Sequence, residues 1–513
     1  MKFFLILLIF NAILFAQDTT VSQAFKPSKF LSAAPLIKVK YPSYPLRAGF
    51  ALIKEANEGD PFAQHELGLR YILKQGFPAD TAKGILWIKC AVDQGIPVAK
   101  YNYGILLNNG IGIEWDPFEA YKNFKAAAEF GMPESEFVFG LYFTDNFVVN
   151  RNLSEAYKWI KKSSDSGYEP AKEALKQFDR MGINAGKENE NKDKSTKTSA
   201  KNLGLSESSI LMEQEWELDF YEFEGDKSVV TSEDEKVKEI FAKNQKELKS
   251  LLGITQILDP NFRDTSGVGL IRFAAESGSP EALLFLGRGH EKGIIVKKDI
   301  ILAAVNYLRA FRLGSSKAAE QLIKLIRSEN FFDQMKNRID SGDTDAMYVW
   351  AGLVAIGFDF QLSEKQAFDL LVNASAKDNV YSLIEIGLCY YSGKLVEQDK
   401  QKALVYWNIA SGKGSKEAAV RIALANLIES NTDSNLNDNL SILNTASNQG
   451  SVLAQTALGY CYEKGIGVVK NKAVAARFYR YASQRGSETA YYSLKRMYDE
   501  IRPDGDEFRI YEE

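Results

Sequence analysis

Small residues recur along this chain every 36 residues, and that period limits what the chain can fold into. The residue that recurs with this period, usually glycine, is called the marker below. A second small residue usually stands nine positions after each marker, as at Gly104, and a third stands four positions before it, as at Ala91. A period of this length is typical of stacked helical repeats. The markers themselves fall into three groups: Gly59, Gly95, Gly131 and Gly167; Gly278 and Gly314; Gly342, Asp378, Gly414, Gly450 and Gly486.

Each 36-residue unit predicts two amphipathic helices. The first helix begins just after the marker, as at Pro97–Asn108, where Pro97 suits a first helical turn. The second covers stretches such as Phe118–Phe130 and ends before a marker glycine, which can adopt a left-handed C-cap. One unit cannot bury its apolar faces alone, so the units must stack. The sequence therefore predicts an all-α protein, an α/α solenoid (superhelix) of about 36-residue two-helix repeats in two arrays.

These units resemble the Sel-one-like repeat (SLR) family, a branch of the tetratricopeptide-like helical repeats. Gly95–Gly131 is a good match, with the loop Gly110–Ile113 and the run Ala126–Glu129. The clearest match is Gly450–Gly486, which contains Ala454, Leu458, Gly459, Tyr462, the loop Gly465–Val468, Ala475, Phe478, Tyr479 and Ala482. The resemblance covers roughly three quarters of the chain and implies a solenoid that binds a peptide or a protein surface.

Three units depart from the pattern. Gly314 and Gly342 are only 28 residues apart, so this unit is expected to lack its inter-helix loop or part of a helix. The unit that begins at Gly414 carries the polar run Ser430–Asn439 in place of a Gly-x-Gly loop. Asp378 stands where glycine is usual. Each departure is expected to distort its unit and to bend the superhelix.

The N-terminus has the pattern of a secretory signal peptide. Lys2 precedes the apolar run Phe3–Phe15, and the small residue Ala16 precedes a polar stretch. The run is too short to span a bilayer, which takes about 20 apolar residues. We therefore expect cleavage after Ala16 and export to a periplasm, to the medium or, in a eukaryote, to the ER lumen.

Composition and period together divide the chain into segments. Lys187–Lys201 has no apolar residue before Ala200, so it lacks the surface needed to order itself. The two arrays are therefore predicted to be separable, with proteolysis starting in this stretch. The predicted segments are a signal peptide (1–16), an extended segment (17–44), an N-terminal SLR solenoid (45–182), a disordered linker (183–232), a C-terminal SLR solenoid (233–502) and a tail (503–513).

Composition argues against several function classes. The formal charge of −4 gives no basic footprint for nucleic acid. Two histidines and three cysteines leave little for a zinc site or for histidine-based acid–base catalysis. No segment after the signal peptide reads as a membrane helix. We therefore expect no catalytic, cofactor or metal residues, no nucleic-acid partner, and a protein or peptide partner for a chain that is not an integral membrane protein.

The histidines and cysteines are interpreted individually. His290 occupies a repeat position that tyrosine holds elsewhere, which favours packing, whereas His65 is placed where it can face the groove. Cys389 and Cys461 are two full periods apart, too far for a disulfide, and buried free thiols are expected for all three cysteines, including Cys90. Some exported relatives carry paired cysteines and are associated with β-lactam binding. This chain lacks those pairs, so that activity is not carried over.

The resemblance also implies which residues line the binding groove, because the first helix of each unit faces it in this family. Several of these side chains are equally expected to pack between units. The predicted groove residues are Phe62, His65, Leu69, Tyr101, Ile105, Phe137 and Leu141 in the N-terminal array, and Leu284, Arg288, Tyr348, Tyr381, Leu388, Tyr391, Leu453 and Tyr460 in the C-terminal array.

Glu213–Asp226 alternates acidic with aromatic or aliphatic residues, as in Trp216, Leu218 and Phe220. A period of two indicates an extended segment with one apolar edge. It is interpreted either as a docking peptide for a groove or as a peptide that packs on its own solenoid. Two further hypotheses stay open for the whole chain: a hydrolase acting on cell-wall or antibiotic substrates, and a structural assembly factor of the envelope.

Overall fold

The computed structural model describes residues 49–180, 249, 254, 267–293, 296–359, 361–429 and 435–511. The predicted signal peptide, the extended segment at 17–44 and the linker with its acidic–aromatic segment lie outside the described residues. So do most of residues 233–266 and the first half of the polar run at Ser430–Asn439.

The described residues form 22 α-helices in consecutive antiparallel pairs, and the predicted all-α solenoid of two-helix repeats is confirmed. The first eight helices are α1 (Gly49–Asn57), α2 (Pro61–Leu73), α3 (Thr81–Asp93), α4 (Pro97–Asn109), α5 (Pro117–Glu129), α6 (Pro133–Leu141), α7 (Leu153–Asp165) and α8 (Glu169–Arg180).

The remaining fourteen helices follow the undescribed stretch. They are α9 (Gly267–Glu276), α10 (Pro280–Lys292), α11 (Ile300–Arg312), α12 (Ser316–Ile326), α13 (Phe331–Asp340), α14 (Thr344–Ala355), α15 (Glu364–Ser375), α16 (Val380–Ser392), α17 (Lys400–Gly412), α18 (Lys416–Glu429), α19 (Leu436–Asn448), α20 (Val452–Lys464), α21 (Lys472–Ser483) and α22 (Glu488–Asp499).

The described residues divide into two compact units. The first unit holds 49–180 together with 471–477 and 493–511. The second unit holds the described residues from 249 to 470 together with 478–492. The segment boundaries drawn from the sequence stay predictions.

Sequence signals at the helix ends explain why the repeats are regular. Asp116 accepts hydrogen bonds from the backbone N–H groups of Phe118 and Glu119 and so caps α5. At the C-terminal ends of the second helices, the marker residues have positive φ, from 81° at Gly131 to 101° at Gly314. Asp378 adopts the same left-handed conformation, with φ of 68°. The marker geometry is therefore retained where glycine is replaced.

The residues after α22 pack within the first unit. The Arg502 guanidinium donates to the carbonyl oxygen of Phe147 at 2.9 Å. The Glu507 carboxylate accepts from Tyr121 Oη at 3.2 Å. Phe508 is buried, and its ring meets that of Phe118 edge-on at 5.3 Å. The contacts of Glu507 and Phe508 attach the predicted tail to α5, and that of Arg502 holds the preceding residues against the segment between α6 and α7.

The second unit joins its first and last repeats through a buried arginine. Arg485 donates to both carboxylate oxygens of Glu281, at 2.5 and 2.8 Å, although the two residues are 204 positions apart. It also donates to Gln455 Oε1 at 3.1 Å and to the carbonyl oxygen of Gly450 at 2.7 Å. A buried ion pair that is fully hydrogen-bonded fixes the register between the elements it joins.

The two helices of a repeat approach closely where the first helix carries glycine. A Cβ atom on Gly387 would lie 2.2 Å from Nε1 of Trp407, which donates to the carbonyl oxygen of Ile384 at 3.1 Å. Gly287 lies under the ring of Tyr307 in the same way. At these two contacts the small residue permits close helix approach, because an aromatic ring of the second helix packs directly on the glycine.

We expect Gly387→Ala to destabilise the second unit by about 1–3 kcal/mol, because the added methyl group displaces the Trp407 indole from a packed site. Gly412→Ala is the matched control in the same repeat. No atom lies within 4 Å of its added Cβ, and alanine favours helix, so its stability should stay equal or rise. Urea unfolding followed by circular dichroism measures both. Equal midpoints for the two variants would contradict this packing.

Candidate functional site

The short repeat between Gly314 and Gly342 creates a local arrangement that the regular repeats lack. It keeps both helices, but α12 and α13 have only 11 and 10 residues. Helix α11 therefore packs directly against α14, where a Cβ on Gly352 would lie 2.4 Å from Cδ2 of Leu308. This contact brings Arg309 and Arg312, at the end of α11, beside the first helices of the following repeats.

A small cavity lies at this junction, and it is called the Arg–Tyr cavity below. Its empty space, counted out to open solvent, is about 220 Å³. That is below the roughly 300–1,000 Å³ of sites for whole small molecules or cofactors. Because that volume includes open solvent, the enclosed part is smaller still, and the cavity admits at most the tip of one side chain of a larger partner. Its lining residues are Arg309, Arg312, Tyr348, Tyr381, Ile384, Glu385, Leu388 and Glu417.

Ion pairs connect the helices that line the cavity. The Arg312 guanidinium donates to both oxygens of Glu385 on α16, one of them at 3.2 Å from Nε. Nη2 of Arg309 lies 3.6 Å from Oε2 of Glu417 on α18. Arg421, one turn further along α18, donates to the same Glu417 carboxylate at 2.8 Å. Charges from three repeats, those that begin at Gly278, Asp378 and Gly414, therefore meet at one place.

Burial and the neighbouring charges determine the protonation states of Arg309, Glu417 and Tyr348. Burial disfavours the charge on Arg309, but Tyr381 and Glu417 outweigh it and raise the pKa of the guanidinium. Burial also opposes ionisation of Glu417, yet Arg421 and Arg309 hold the pKa of this carboxyl below its usual value. Burial raises the pKa of Tyr348 well above that of a free phenol. At neutral pH the cavity presents fixed ions and a protonated phenol.

Aromatic rings form one wall of the cavity. The Arg309 guanidinium carbon lies 4.3 Å from the centroid of the Tyr381 ring, a cation–π contact. The rings of Tyr381 and Tyr348 are 5.8 Å apart. Arginine, tyrosine and an apolar floor are the side chains that most often anchor a protein partner.

The structure places the predicted groove residues of the first unit mainly in its core. Tyr101 and Phe137 are fully buried, and Phe62 is half-buried at the start of α2. The buried rings pack against neighbouring aromatics, Tyr101 against Phe124 and Phe137 against Tyr168. Leu69, Ile105 and Leu141 are also buried. The groove assignment in this unit stays a prediction.

In the second unit the structure brings part of the predicted set together. Tyr348, Tyr381 and Leu388 meet in the Arg–Tyr cavity, where Tyr348 is buried and the other two are half-buried. Tyr391 instead stacks near Trp407, at 5.4 Å between ring centroids. The remaining predicted residues are half-buried outside the cavity lining: Leu284, Arg288, Leu453 and Tyr460.

The histidines have structural partners. The Asn102 amide nitrogen donates to His65 Nε2 at 2.7 Å, which requires a neutral ring. Burial lowers the pKa of His65 to about 4. His290 is half-buried, with Nδ1 3.0 Å from the carbonyl oxygen of Lys297, consistent with the predicted packing role.

The cysteines agree only in part with expectation. Cys389 and Cys461 are buried free thiols, and burial raises the pKa of Cys461 to about 11. The expectation of burial is wrong for Cys90, which is exposed because its position faces outward on α3. Among the described residues, no group of three histidine, cysteine or acidic side chains is placed to hold a metal ion.

Comparison with known proteins settles the family. The Sel1 repeat model matches six segments, at residues 61–96, 97–131, 140–168, 280–315, 380–415 and 452–487. The chain is a Sel1-repeat protein. The predicted resemblance is therefore confirmed, and five of the matched segments begin at the first residue of a helix, in α2, α4, α10, α16 and α20.

Two solved structures show similarity to this Sel1-repeat protein. One is a protective antigen present in uropathogenic Escherichia coli strains that displays an SLR fold, with 19% identity over 89% of this chain and 91% of that chain, at a TM-score of 0.30. The other is a Sel1 repeat protein from Oxalobacter formigenes, with 28% identity over 25% of this chain and 96% of that chain, at a TM-score of 0.24. Within the described ranges, no helix has the length and apolarity needed to cross a membrane.

Sequence reasoning missed four charged residues of this Sel1-repeat protein: Arg309, Arg312, Glu385 and Glu417. The Arg309 position is exposed in several regular repeats, as at Cys90, Asn373 and Ile409, although the equivalent Phe273 is buried. The 28-residue spacing was the available signal, because a shortened repeat must change which helices touch. The spacing alone did not predict which side chains the altered helix contacts would bring together.

We expect His65 to make the protein less stable in mild acid. Its folded pKa of about 4 lies below the unfolded value of about 6.5, so the unfolded chain takes up a proton first as pH falls. Stability from this residue is complete above pH 6.5 and lost towards pH 4, by about 2 kcal/mol between pH 7.5 and 5. Urea unfolding at both pH values measures the loss.

His65→Gln should remove most of that pH dependence, and it should lower stability at pH 7.5 if its amide fits the site less well. His290→Gln is the control and should keep the pH dependence of the wild type, since its side chain is only half-buried. An unchanged pH dependence in His65→Gln would contradict the assignment.

Proposed function

We propose that this Sel1-repeat protein is an exported protein–protein interaction scaffold. It binds an extended peptide or a protein surface along the first helices of the second unit, centred on the Arg–Tyr cavity. The observation that carries the proposal is the lining of this cavity by three successive first helices, α14, α16 and α18. A surface built from consecutive repeats suits an extended partner.

The chemistry of the cavity supports binding over catalysis. Its lining has two arginines, two glutamates, two tyrosines and two aliphatic residues. A serine hydrolase would need a serine beside a base such as lysine, and the lining includes neither. Both glutamates of the lining are paired with arginines. Arginine and tyrosine in a partly desolvated site are instead the residues that dominate protein-interaction energies.

We expect Tyr381→Ala to weaken partner capture about thirtyfold, because truncating an interface aromatic commonly costs about 2 kcal/mol or more. Tyr381 is half-buried, so it can contact both Arg309 and a partner. The measurement is quantitative cross-linking of the tagged full-length chain in its own host, followed by mass spectrometry. The helical circular dichroism signal should stay nearly unchanged.

Val405→Ala is the matched control. Val405 lies in the same repeat as Tyr381, on the second helix α17, and 56% of it is exposed. Its truncation should leave capture unchanged, because the proposed partner contacts first helices. Tyr391→Ala provides a second comparison on α16, and its effect should be smaller, since Tyr391 lies outside the cavity lining. Loss of capture in Val405→Ala with retention in Tyr381→Ala would place binding on the opposite surface.

Export rests on the sequence pattern at residues 1–16, which lie outside the described residues. We expect the mature protein to begin near Gln17, because Ala16 is the small residue that follows the apolar run. N-terminal peptide mass spectrometry of the exported fraction measures this. Ala16→Tyr should block cleavage at that bond, whereas Thr19→Ser, beyond it, should not. Recovery of exported protein with intact Met1–Ala16 would contradict the proposal.

A further inference from the structure

The charged residues around the Arg–Tyr cavity do not balance. Three guanidiniums, of Arg309, Arg312 and Arg421, face two carboxylates, of Glu385 and Glu417. Arg312 and Glu385 form an ion pair with two hydrogen bonds, so their charges balance each other. The excess positive charge therefore lies in the group of Arg309, Glu417 and Arg421, where one carboxylate serves two arginines.

Of the two arginines that contact the Glu417 carboxylate, Arg309 makes the longer contact. Its Nη2 lies 3.6 Å from Glu417, whereas Arg421 approaches the same carboxylate to 2.8 Å. Charge-assisted N–H···O bonds are normally about 2.7–2.9 Å long. Arg309 also donates to the carbonyl oxygen of Ala275, at 3.3 Å. The guanidinium thus has no short bond to any acceptor in the described structure.

A second observation concerns Nε of Arg309. Arg309 is only 8% exposed, and its Nε is buried without any hydrogen-bond acceptor among the described residues. A buried donor left unpaired is costly, and a buried charge more so. Because Arg309 lines the cavity, a group that enters the cavity can supply the missing acceptor.

We propose that the Arg–Tyr cavity binds the carboxylate of a glutamate or aspartate side chain in an extended peptide of the partner. The inference rests on the proposed function and names the chemistry that its site recognises. The carboxylate accepts from Arg309 and balances the excess guanidinium. The methylene groups of the acidic side chain pack against Tyr381, Ile384 and Leu388, which line the same cavity.

The charge and the size of the cavity favour this class over other anions. A phosphorylated side chain carries a charge of about −1.5 to −2, more than one excess guanidinium balances. Glu385 and Glu417 also line the cavity and repel the second charge. The volume of about 220 Å³ includes open solvent, so the carboxylate tip can reach the cavity while the rest of the side chain and the backbone stay outside.

The test uses two fluorescently labelled peptides and the full-length chain. The first peptide has the sequence of residues 213–226, whose seven carboxylates alternate with aromatic and aliphatic residues. The second replaces each glutamate with glutamine and each aspartate with asparagine. Because the change is in the peptide, the protein is identical in both measurements. Fluorescence anisotropy should show at least about tenfold tighter binding of the acidic peptide, the effect of one charge-assisted hydrogen bond.

The chain contains its own copy of this sequence, so the titration is repeated on a full-length variant in which residues 213–226 are replaced by a Gly/Ser linker. Preference for the acidic peptide in either protein supports the proposal. Equal binding of the two peptides in both proteins, or binding of neither, overturns it. Capture that still depends on Tyr381 would then leave the proposed function standing without the acidic specificity.

Protein variants assign the preference to this cavity. Arg309→Lys keeps the charge but removes Nε–H, so the preference for the acidic peptide should fall about tenfold. Arg338→Lys is the matched control, because Arg338 pairs with Asp299 and Asp343 on other elements of the second unit. It should keep the full preference. Retention of the preference by a folded Arg309→Lys variant would overturn the site assignment.

Competition by small anions separates a peptide site from a general anion site. Acetate and inorganic phosphate, at matched ionic strength, should displace the acidic peptide only weakly, because they lack the peptide's contacts with Tyr381 and the neighbouring first helices. Displacement by phosphate at concentrations comparable with those of the peptide would show a phosphate site and would overturn the proposal.

Discussion

The fold depends on one steric constraint, the close approach of the two helices in each repeat. It is possible where the first helix carries glycine and the second helix supplies a side chain to fill the space, a ring in several repeats and Ile88 or Ile160 in others. Trp407 over Gly387 and Tyr307 over Gly287 show the same solution with different residues. Each ring also returns a hydrogen bond to the first helix, since Tyr307 Oη donates to Glu291 at 2.6 Å. Stacking of repeats follows from helix pairs held at this distance.

The candidate site arises where this regularity is interrupted. The shortened helices α12 and α13 no longer separate α11 from α14, and Leu308 packs against Gly352 instead. A position that is exposed in several regular repeats, as at Ile409, then becomes the buried position of Arg309. The irregular repeat therefore places buried charge next to the first helices that solenoids use for binding.

Two buried arginines in the second unit show how hydrogen bonding separates a structural ion pair from a binding site. Arg485 has short bonds to Glu281 and to the carbonyl oxygen of Gly450, and it joins repeats that are far apart in sequence. Among the described residues, Arg309 has only long hydrogen-bond contacts, and its Nε has no acceptor. The satisfied arginine stabilises the fold, whereas the under-satisfied one is poised to receive a group from outside.

Local signals in the sequence determined the all-α class, the two-helix repeat and the marker positions, because helix period, caps and left-handed turns depend on residues close together in the chain. Even Asp378 keeps the marker conformation. Tertiary structure decided which side chains meet. The repeat position predicted Tyr348 and Tyr381 as groove residues, but nothing local shows that Tyr348, like Tyr101 and Phe137 at similar positions, is buried. The pairing of Arg309 with Glu417, 108 residues later, exists only because a short repeat changes which helices touch.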